Sequence, residues 1–139
     1  MTDNETRLPR PVLPDGWPRP SGYAHAMLGE GRMLFIAGQV GMTPQGEFVS
    51  DDFIEQLAQA LRNTRDLLRE AGGGPENLVR MTWYVRDKTE YLARISEVGG
   101  TYKQILGSNF PAMAVLQVVD FVEDRARVEI ESTAMMPIG

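Results

Sequence analysis

The fold is decided by residues 52–85, which read DFIEQLAQALRNTRDLLREAGGGPENLVRMTWYV. In the first half, mostly apolar residues recur every three or four positions and form one helical stripe: Ile54, Leu57, Leu61, Thr64, Leu68 and Ala71. Asp52, with a glutamate three residues on, has the spacing of a capping box, and the Gly-Gly-Gly-Pro run at 72–75 stops a helix. Leu78–Val85 is rich in aromatic and β-branched residues, as strands are. The stretch therefore predicts a helix from about Asp52 to Ala71, followed by a strand.

Downstream, the pattern predicts a second helix and two more strands. The helix runs from about Lys88 to Leu106, with Asp87 placed to cap it. Two glycines, Gly99 and Gly100, fall inside it, and either close packing against the sheet or a kink would explain why they are tolerated. The alternating segments 111–121 and 125–135 are interpreted as the two strands of a β-hairpin.

Upstream, two short strands are expected at Tyr23–Met27 and Arg32–Ala37, with Gly38-Gln39 ending the second. Residues 1–21 carry five prolines, a density that forbids helix and predicts an extended arm. The domain proper is therefore placed at residues 22–139.

The order of elements predicts an α+β fold, in which two helices cover one face of a sheet. Trp83, Phe35 and many valines indicate that the opposite face is apolar as well. An apolar face of that size needs a cover in water, and another copy of the chain is the simplest one. The residues alone thus favour an oligomer.

Composition excludes several classes of function. The chain has 139 residues, which suits one domain, and its net charge of −5 argues against a nucleic-acid partner, because phosphate binding depends on Lys and Arg. It has no cysteine and one histidine, His25, so disulfides and thiolate or His-rich metal sites are excluded, and no cofactor or metal is expected. No apolar run is long enough for a membrane span and residues 1–10 lack a signal core, so we expect a cytoplasmic protein without a membrane partner.

Four segments resemble the RidA/YjgF (Rid) family, which also carries endoribonuclease L-PSP-like and translation-inhibitor names. In order, they are Gly22-Tyr-Ala-His-Ala26, Phe35-Ile-Ala-Gly-Gln-Val40, Phe110-Pro-Ala112 and Val128-Glu-Ile-Glu-Ser-Thr-Ala134. The resemblance implies a fold like that of bacillus-type chorismate mutase, with a mixed sheet and two helices on one face. It also implies a homotrimer with a central barrel, small-molecule sites in the inter-subunit clefts, and a deaminase-like hydrolase that releases ammonia from enamines or imines.

Carried over position by position, the resemblance assigns the site residues. Glu129 matches the catalytic glutamate that positions water, and Tyr23 matches a tyrosine that lines the substrate pocket. Gly38 matches the glycine whose backbone N–H binds the ligand, with Gln39 beside it. The polar residue that the family offers from its second helix has Ser96 as its nearest candidate here.

The chain departs from the family's deaminases after Pro111-Ala112, where their arginine grips the substrate carboxylate. Met113 stands there, and Val115 replaces the usual small serine or cysteine; both are assigned to the substrate site. Losing a bidentate arginine–carboxylate contact in a desolvated cleft costs roughly 2–5 kcal/mol of binding. Methionine lines apolar pockets well, so we expect a larger or less anionic ligand than the 2-aminoacrylate type.

Four other arginines could replace the family's arginine as far as the sequence shows: Arg32, Arg80, Arg86 and Arg94. We interpret each of them as a solvated surface cation. His25 is interpreted as structural, with a place at the cleft rim as the alternative. Three functions remain open: a C–N deaminase with a non-standard substrate, a non-catalytic trimer that binds a metabolite, and an RNA-directed activity that the acidic charge disfavours.

Overall fold

The structure is a computed structural model that describes residues 8–138. Its elements, in chain order, are β1 (Arg10–Val12), β2 (Ala26–Leu28), β3 (Arg32–Val40), α1 (Phe53–Glu70), β4 (Leu78–Val85), α2 (Lys88–Ala93), α3 (Ile95–Leu106), β5 (Ala112–Gln117) and β6 (Val128–Met136). A single 3₁₀ turn at Pro75–Asn77 links α1 to β4. The predicted α+β class is confirmed, with three helices in place of two.

The main sheet of the described chain has the strand order β3-β6-β4-β5. Strand β4 runs antiparallel to β6 and parallel to β5, so the sheet is mixed. The predicted hairpin is therefore wrong, because β4 lies between its two expected partners. Residues 118–127 form the loop that carries the chain across β4, and the β6 strand begins at Val128.

Helix α1 carries the core, as the stripe predicted. It is buried against β3 and β6 through seven side chains: Phe53, Gln56, Leu57, Ala60, Leu61, Thr64 and Leu68. Asp52 caps the helix by accepting a 3.0 Å hydrogen bond from the Glu55 backbone N–H, as the capping-box spacing predicted. Across residues 8–138, no helix combines the length and apolarity that a bilayer crossing needs.

The second predicted helix is broken in two at Arg94, whose backbone leaves the helical region. The Arg94 guanidinium binds Asp52 at 2.8 Å and Glu97 at 2.9 Å, which joins the start of α3 to the start of α1. Neither close packing against the sheet nor a kink explains the two glycines of α3. At Gly99 and Gly100 an added Cβ would meet no described atom within 4 Å, so neither packs closely, and the break lies five residues earlier.

The described part of the predicted arm pairs with the domain. Residues 1–7 lie outside the described residues, but β1 within the arm pairs antiparallel with β2, Arg10 opposite Leu28. Strand β3 is longer than expected: it passes Gly38 and reaches Val40, with a bulge between Ile36 and Gln39.

One face of the sheet is covered by α1 and α3, and the other is open in this single chain. Phe35 on the open face is 71% exposed, and Met33 and Leu116 are about half exposed. Trp83 does not belong to this face, contrary to the prediction: it is 2% exposed and lies in the core beneath α3. Strand alternation places Met81, Trp83 and Val85 together on the helix side, which the sequence could not distinguish from the open side.

The Asp52 cap yields a stability prediction. The Arg94 guanidinium and the α1 backbone N–H groups hold the pKa of the Asp52 carboxyl below its usual value. Because folding lowers this pKa, the Asp52 carboxylate stabilises the folded state at pH values above its pKa in the unfolded chain, about 3.9. This stabilisation is lost as the pH falls through the pKa of the folded state. We expect Asp52→Ala to lower the free energy of unfolding by about 1 kcal/mol at pH 7, and by clearly less at pH 3.

Urea unfolding at the two pH values measures this difference. Asp51→Ala is the matched control, because Asp51 pairs with Arg125 at 2.9 Å while both side chains are more than half exposed. Such a surface pair contributes little, so the control should change stability by less than about 0.5 kcal/mol at either pH. Equal losses for the two variants would show that the Asp52 contacts do not stabilise α1.

Candidate functional site

A cavity of about 390 Å³ lies between β5, helices α2 and α3, and the segment before β2. It is lined by Ser21, Gly22, Tyr23, Trp83, Tyr91, Ile95, Val98, Gly99, Tyr102, Phe110, Met113 and Val115. Three of the six predicted site residues, Tyr23, Met113 and Val115, therefore meet here. The volume falls within the range of small-molecule sites. We call this space the β5–α3 cavity.

Tyr23 reaches the cavity from a short aromatic row in the N-terminal segment. Its ring meets His25 edge-on at 5.2 Å, and His25 meets Trp17 in the same way at 5.2 Å. Tyr23 also borders a second cavity of about 410 Å³ beneath the proline-rich arm, which His25 lines too. The structure thus places His25 beside Tyr23, where it lines the second cavity and not the β5–α3 cavity.

The floor of the β5–α3 cavity is aromatic. Tyr102 stacks on Phe110 with ring centroids 5.3 Å apart and lies 6.1 Å from the Trp83 ring. The Tyr102 hydroxyl donates to the Asn109 carbonyl, and burial raises the pKa of this tyrosine. The Trp83 indole Nε1 is buried and has no hydrogen-bond partner among residues 8–138.

The remaining predicted residues lie at the β3 bulge. A Cβ on Gly38 would overlap the carboxylate of Glu129, which shows that this carboxylate lies against the Gly38 backbone. Gln39 turns its amide back onto the Ala37 carbonyl at 3.1 Å. Gly38 and Gln39 line a groove of about 480 Å³ with Asn63 and other residues of the 40–44 loop and α1.

The two groups of residues do not meet within one chain. Met113 and Val115 face the helices on β5, whereas Glu129 alternates with buried Val128 and Ile130 and so faces the open side of the sheet. Strands β3 and β5 are the outer strands of the sheet, three spacings or about 14 Å apart. One chain therefore holds the predicted site residues in two separate places: the β5–α3 cavity and the Glu129–Gly38 pair.

A second carboxylate lies on the same face as Glu129. Glu131 accepts a 2.6 Å hydrogen bond from the Tyr84 hydroxyl, and this bond is the main reason that the pKa of Tyr84 is raised. Tyr84 is also the β4 residue directly opposite Glu129. Glu129, Glu131 and Tyr84 therefore form a polar strip on the open face, which also carries the exposed apolar side chain of Phe35.

No arginine lines the β5–α3 cavity within the described part of the chain. Arg32 donates to the Pro137 carbonyl, Arg86 to the Ala126 carbonyl, and Arg94 to Asp52 and Glu97. Arg80 lines a groove on the open face with Phe35. Ser96 is exposed and does not line the cavity either, whereas its neighbours Ile95 and Gly99 do.

No sequence pattern identifies the aromatic residues that form the floor of this cavity, or Gly99 on its α3 side. The alternation of β4 does not indicate which face Trp83 takes, and no motif marks Tyr102 as a cavity residue. No sequence signal places Gly99 at a cavity, because its role depends on where α3 packs.

For metals, residues 8–138 bring together no group of three or more His, Asp or Glu side chains suited to an ion.

Comparisons with known proteins agree with this architecture. The family model described as "Endoribonuclease L-PSP" matches residues 18–136. A human 2-iminobutanoate/2-iminopropanoate deaminase is 37% identical over 114 residues, covering 81% of this chain and 79% of that protein. A RutC family protein of Pyrococcus horikoshii is 31% identical over 124 residues, covering 88% and 94%. The solved structure of a Rid-family protein of Yersinia pestis, of unknown function, superposes with a TM-score of 0.82 at 30% identity, covering 93% and 99%.

Proposed function

Because this chain belongs to the RidA/YjgF family, we propose that it is an imine or enamine deaminase whose substrate differs from that of the 2-iminobutanoate/2-iminopropanoate deaminases it resembles. The observation that carries the proposal is the Glu129 carboxylate against Gly38, the two positions that the resemblance assigns to water activation and ligand binding. The substrate differs because no cation lines the described walls of the β5–α3 cavity.

The complete site forms between two copies of the chain. The β5–α3 cavity lies on one side of the sheet and the Glu129–Gly38 pair on the other. A substrate bound against Met113 of one copy can therefore contact only the Glu129 of a neighbouring copy. Exposed Phe35 and Met33 supply an apolar surface next to the Glu129 strip, and its burial would drive the association. We propose a homotrimer with a central barrel, in keeping with the family resemblance.

The chemistry needs only water and a positioned base. A water oxygen adds to the imine carbon, and Glu129 accepts the proton that the water loses. Glu129 passes this proton to the imine nitrogen, which gives a carbinolamine. The carbinolamine hydroxyl then loses its proton, again by way of Glu129, to the amine nitrogen. The C–N bond breaks as the C=O bond forms, and ammonia and a carbonyl compound leave. The Gly38 backbone N–H donates to the ligand, and Tyr23 and the apolar side chains of the cavity exclude bulk water.

Met113 sets the preference among substrates. Without a guanidinium, the cavity does not stabilise a carboxylate, and burying one there without a partner is costly. We expect faster ammonia release from the imine of benzylamine or 2-phenylethylamine, generated in place by an amine oxidase, than from 2-iminopropanoate, generated by an amino-acid oxidase. Met113→Arg should shift the preference toward 2-iminopropanoate by about 10-fold or more.

Ammonia release, coupled to a dehydrogenase that consumes it, measures each rate. The control is the rate of imine decay in buffer and with a Glu129→Gln variant. A wild-type rate no higher than this control on all three imines would reject the deaminase. An unchanged preference in Met113→Arg would reject the role assigned to Met113.

A second candidate is a trimer that binds a metabolite without turnover, and the uncharged cavity favours it. Thermal stabilisation by ligand, without ammonia release from any imine, would support this alternative. An RNA-directed activity has no such support, since the chain carries 14 Lys and Arg against 19 Asp and Glu.

A further inference from the structure

We propose that the second cavity, beneath the proline-rich arm, binds a free α-amino acid with an apolar side chain. Arg19 holds the carboxylate of this ligand, and Glu76 holds its ammonium group. We call this space the arm cavity. Neither residue lines the β5–α3 cavity, so the proposal concerns a separate site and does not depend on imine hydrolysis.

The arm cavity lies between the proline-rich arm, the 3₁₀ turn before β4 and the loop that follows α3. Its volume of about 410 Å³ suits one small molecule. The arm is attached to the domain at two points, because β1 pairs with β2 and Trp17 packs edge-on against His25 at 5.2 Å. Since proline also restricts the backbone of the arm, ordering this wall around a ligand costs little entropy.

Two opposite charges line the arm cavity from different elements of the fold. Arg19 belongs to the arm, and Glu76 belongs to the 3₁₀ turn. Among residues 8–138, neither side chain takes part in an ion pair, with the other or with a third residue. A Cβ on Gly74 would overlap the Glu76 carboxylate, so this side chain folds back over its own turn. Both charged groups are therefore available to a ligand.

This pair of charges favours a zwitterion. A guanidinium binds a carboxylate, and a carboxylate binds an ammonium group. A simple anion would gain Arg19 but would meet the negative charge of Glu76, and a simple cation would meet the reverse. An α-amino acid carries both groups and so satisfies both side chains at once.

The remaining wall indicates what the ligand's side chain should be. Much of it is apolar and includes several prolines of the arm, together with Leu13, Met27 and Phe110. An apolar ligand side chain would displace water from these surfaces, which stabilises the complex. Leucine is therefore a suitable probe, and glycine is its control without a side chain.

His25 reports binding at the arm cavity specifically. It is the single histidine of the chain, and it lines the arm cavity but not the β5–α3 cavity. Its ring C–H resonances are followed by NMR in the full-length protein at constant pH. Leucine should shift them saturably, with a dissociation constant of about 1 mM or lower, and glycine should bind at least about 5-fold more weakly.

Two analogues of leucine separate the contributions of the two charges. 4-Methylpentanoate lacks the ammonium group, and 3-methylbutylamine lacks the carboxylate. Each should bind at least about 5-fold more weakly than leucine, which is the loss expected for one charge-assisted contact in a cleft open to water.

Two variants should divide the analogues in opposite ways. Arg19→Gln should weaken leucine and 4-methylpentanoate at least about 5-fold but not 3-methylbutylamine, whereas Glu76→Gln should weaken leucine and 3-methylbutylamine but not 4-methylpentanoate. Arg10→Gln and Glu70→Gln are the matched controls, because these residues are exposed and do not line the cavity. All four side chains are exposed, so the fold should be retained in each variant.

Several results would overturn the inference. They are the absence of a saturable His25 shift with leucine, an affinity for either analogue equal to that for leucine, and control variants that weaken leucine as much as Arg19→Gln and Glu76→Gln do. Binding of leucine that leaves the His25 signals in place would assign it to a different site and would overturn the inference as well.

Discussion

Glu129→Gln is expected to abolish imine hydrolysis, reducing kcat/KM by at least about 100-fold, while the protein folds and assembles as before. A positioned general base contributes about 10²–10⁴-fold to rate, and the amide keeps the shape of the carboxylate but cannot accept the proton. Glu129 lies on the side of β6 away from the core, between buried Val128 and Ile130, so the change leaves the packing intact. Steady-state ammonia release and thermal unfolding measure the two halves of this prediction.

Glu131→Gln is the matched control for the same strand and the same face. Glu131 lies two residues further along β6 and accepts the Tyr84 hydroxyl. Since it does not touch Gly38, we expect this variant to retain activity within about 3-fold. The assignment of Glu129 fails if both variants lose activity equally, or if Glu129→Gln remains as active as the wild type.

The local structure could be predicted because its signals are local. The apolar stripe and the Asp52 cap gave the bounds of α1 to within one residue at each end, and alternation gave β4 from Leu78 to Val85. These patterns depend on residues a few positions apart, which is the range over which helix and strand periodicity acts.

The pairing of strands could not be predicted in the same way. Segments 112–117 and 128–136 look like a hairpin because they are adjacent in sequence. In the structure β4, more than 25 residues earlier, lies between them, and the loop from Val118 to Arg127 crosses the end of the sheet. Nothing in the alternation of either segment specifies which neighbour it takes. The broken helix is similar, since Arg94 is held out of the helix by Asp52, 42 residues away.

The site was predicted residue by residue but not as an arrangement. The structure divides the predicted site residues between the two faces of the sheet, with Gly38 and Met113 on its two outer strands. The resemblance predicts that Met113 is a departure from the family's deaminases, but it does not indicate which residues surround Met113. Trp83 shows the reason: its strand alternates regularly, and only the packed position of α3 decides which of the two faces is the interior.

Gln56→Leu is expected to lower the free energy of unfolding by about 3–5 kcal/mol, with a fall in Tm of roughly 10 °C or more. Gln56 is fully buried in α1, where sequence reasoning assigned it no role. Its amide nitrogen donates to the Ser50 carbonyl at 2.9 Å and to the Arg125 carbonyl at 3.0 Å, and its oxygen accepts the Arg127 N–H at 2.8 Å. Leucine fills the volume but leaves three backbone groups without partners.

The size of this effect comes from where the three bonds lie. They tie α1 to the loop before it and to the crossing loop that delivers β6, so they position the strand that carries Glu129. Gln104→Leu is the control, because Gln104 is an exposed residue of α3 and should change stability by less than about 0.5 kcal/mol. Chemical denaturation of both variants measures the difference. A loss below about 1 kcal/mol for Gln56→Leu would mean that water or a shifted loop satisfies these groups, and that the crossing loop is not held by this side chain.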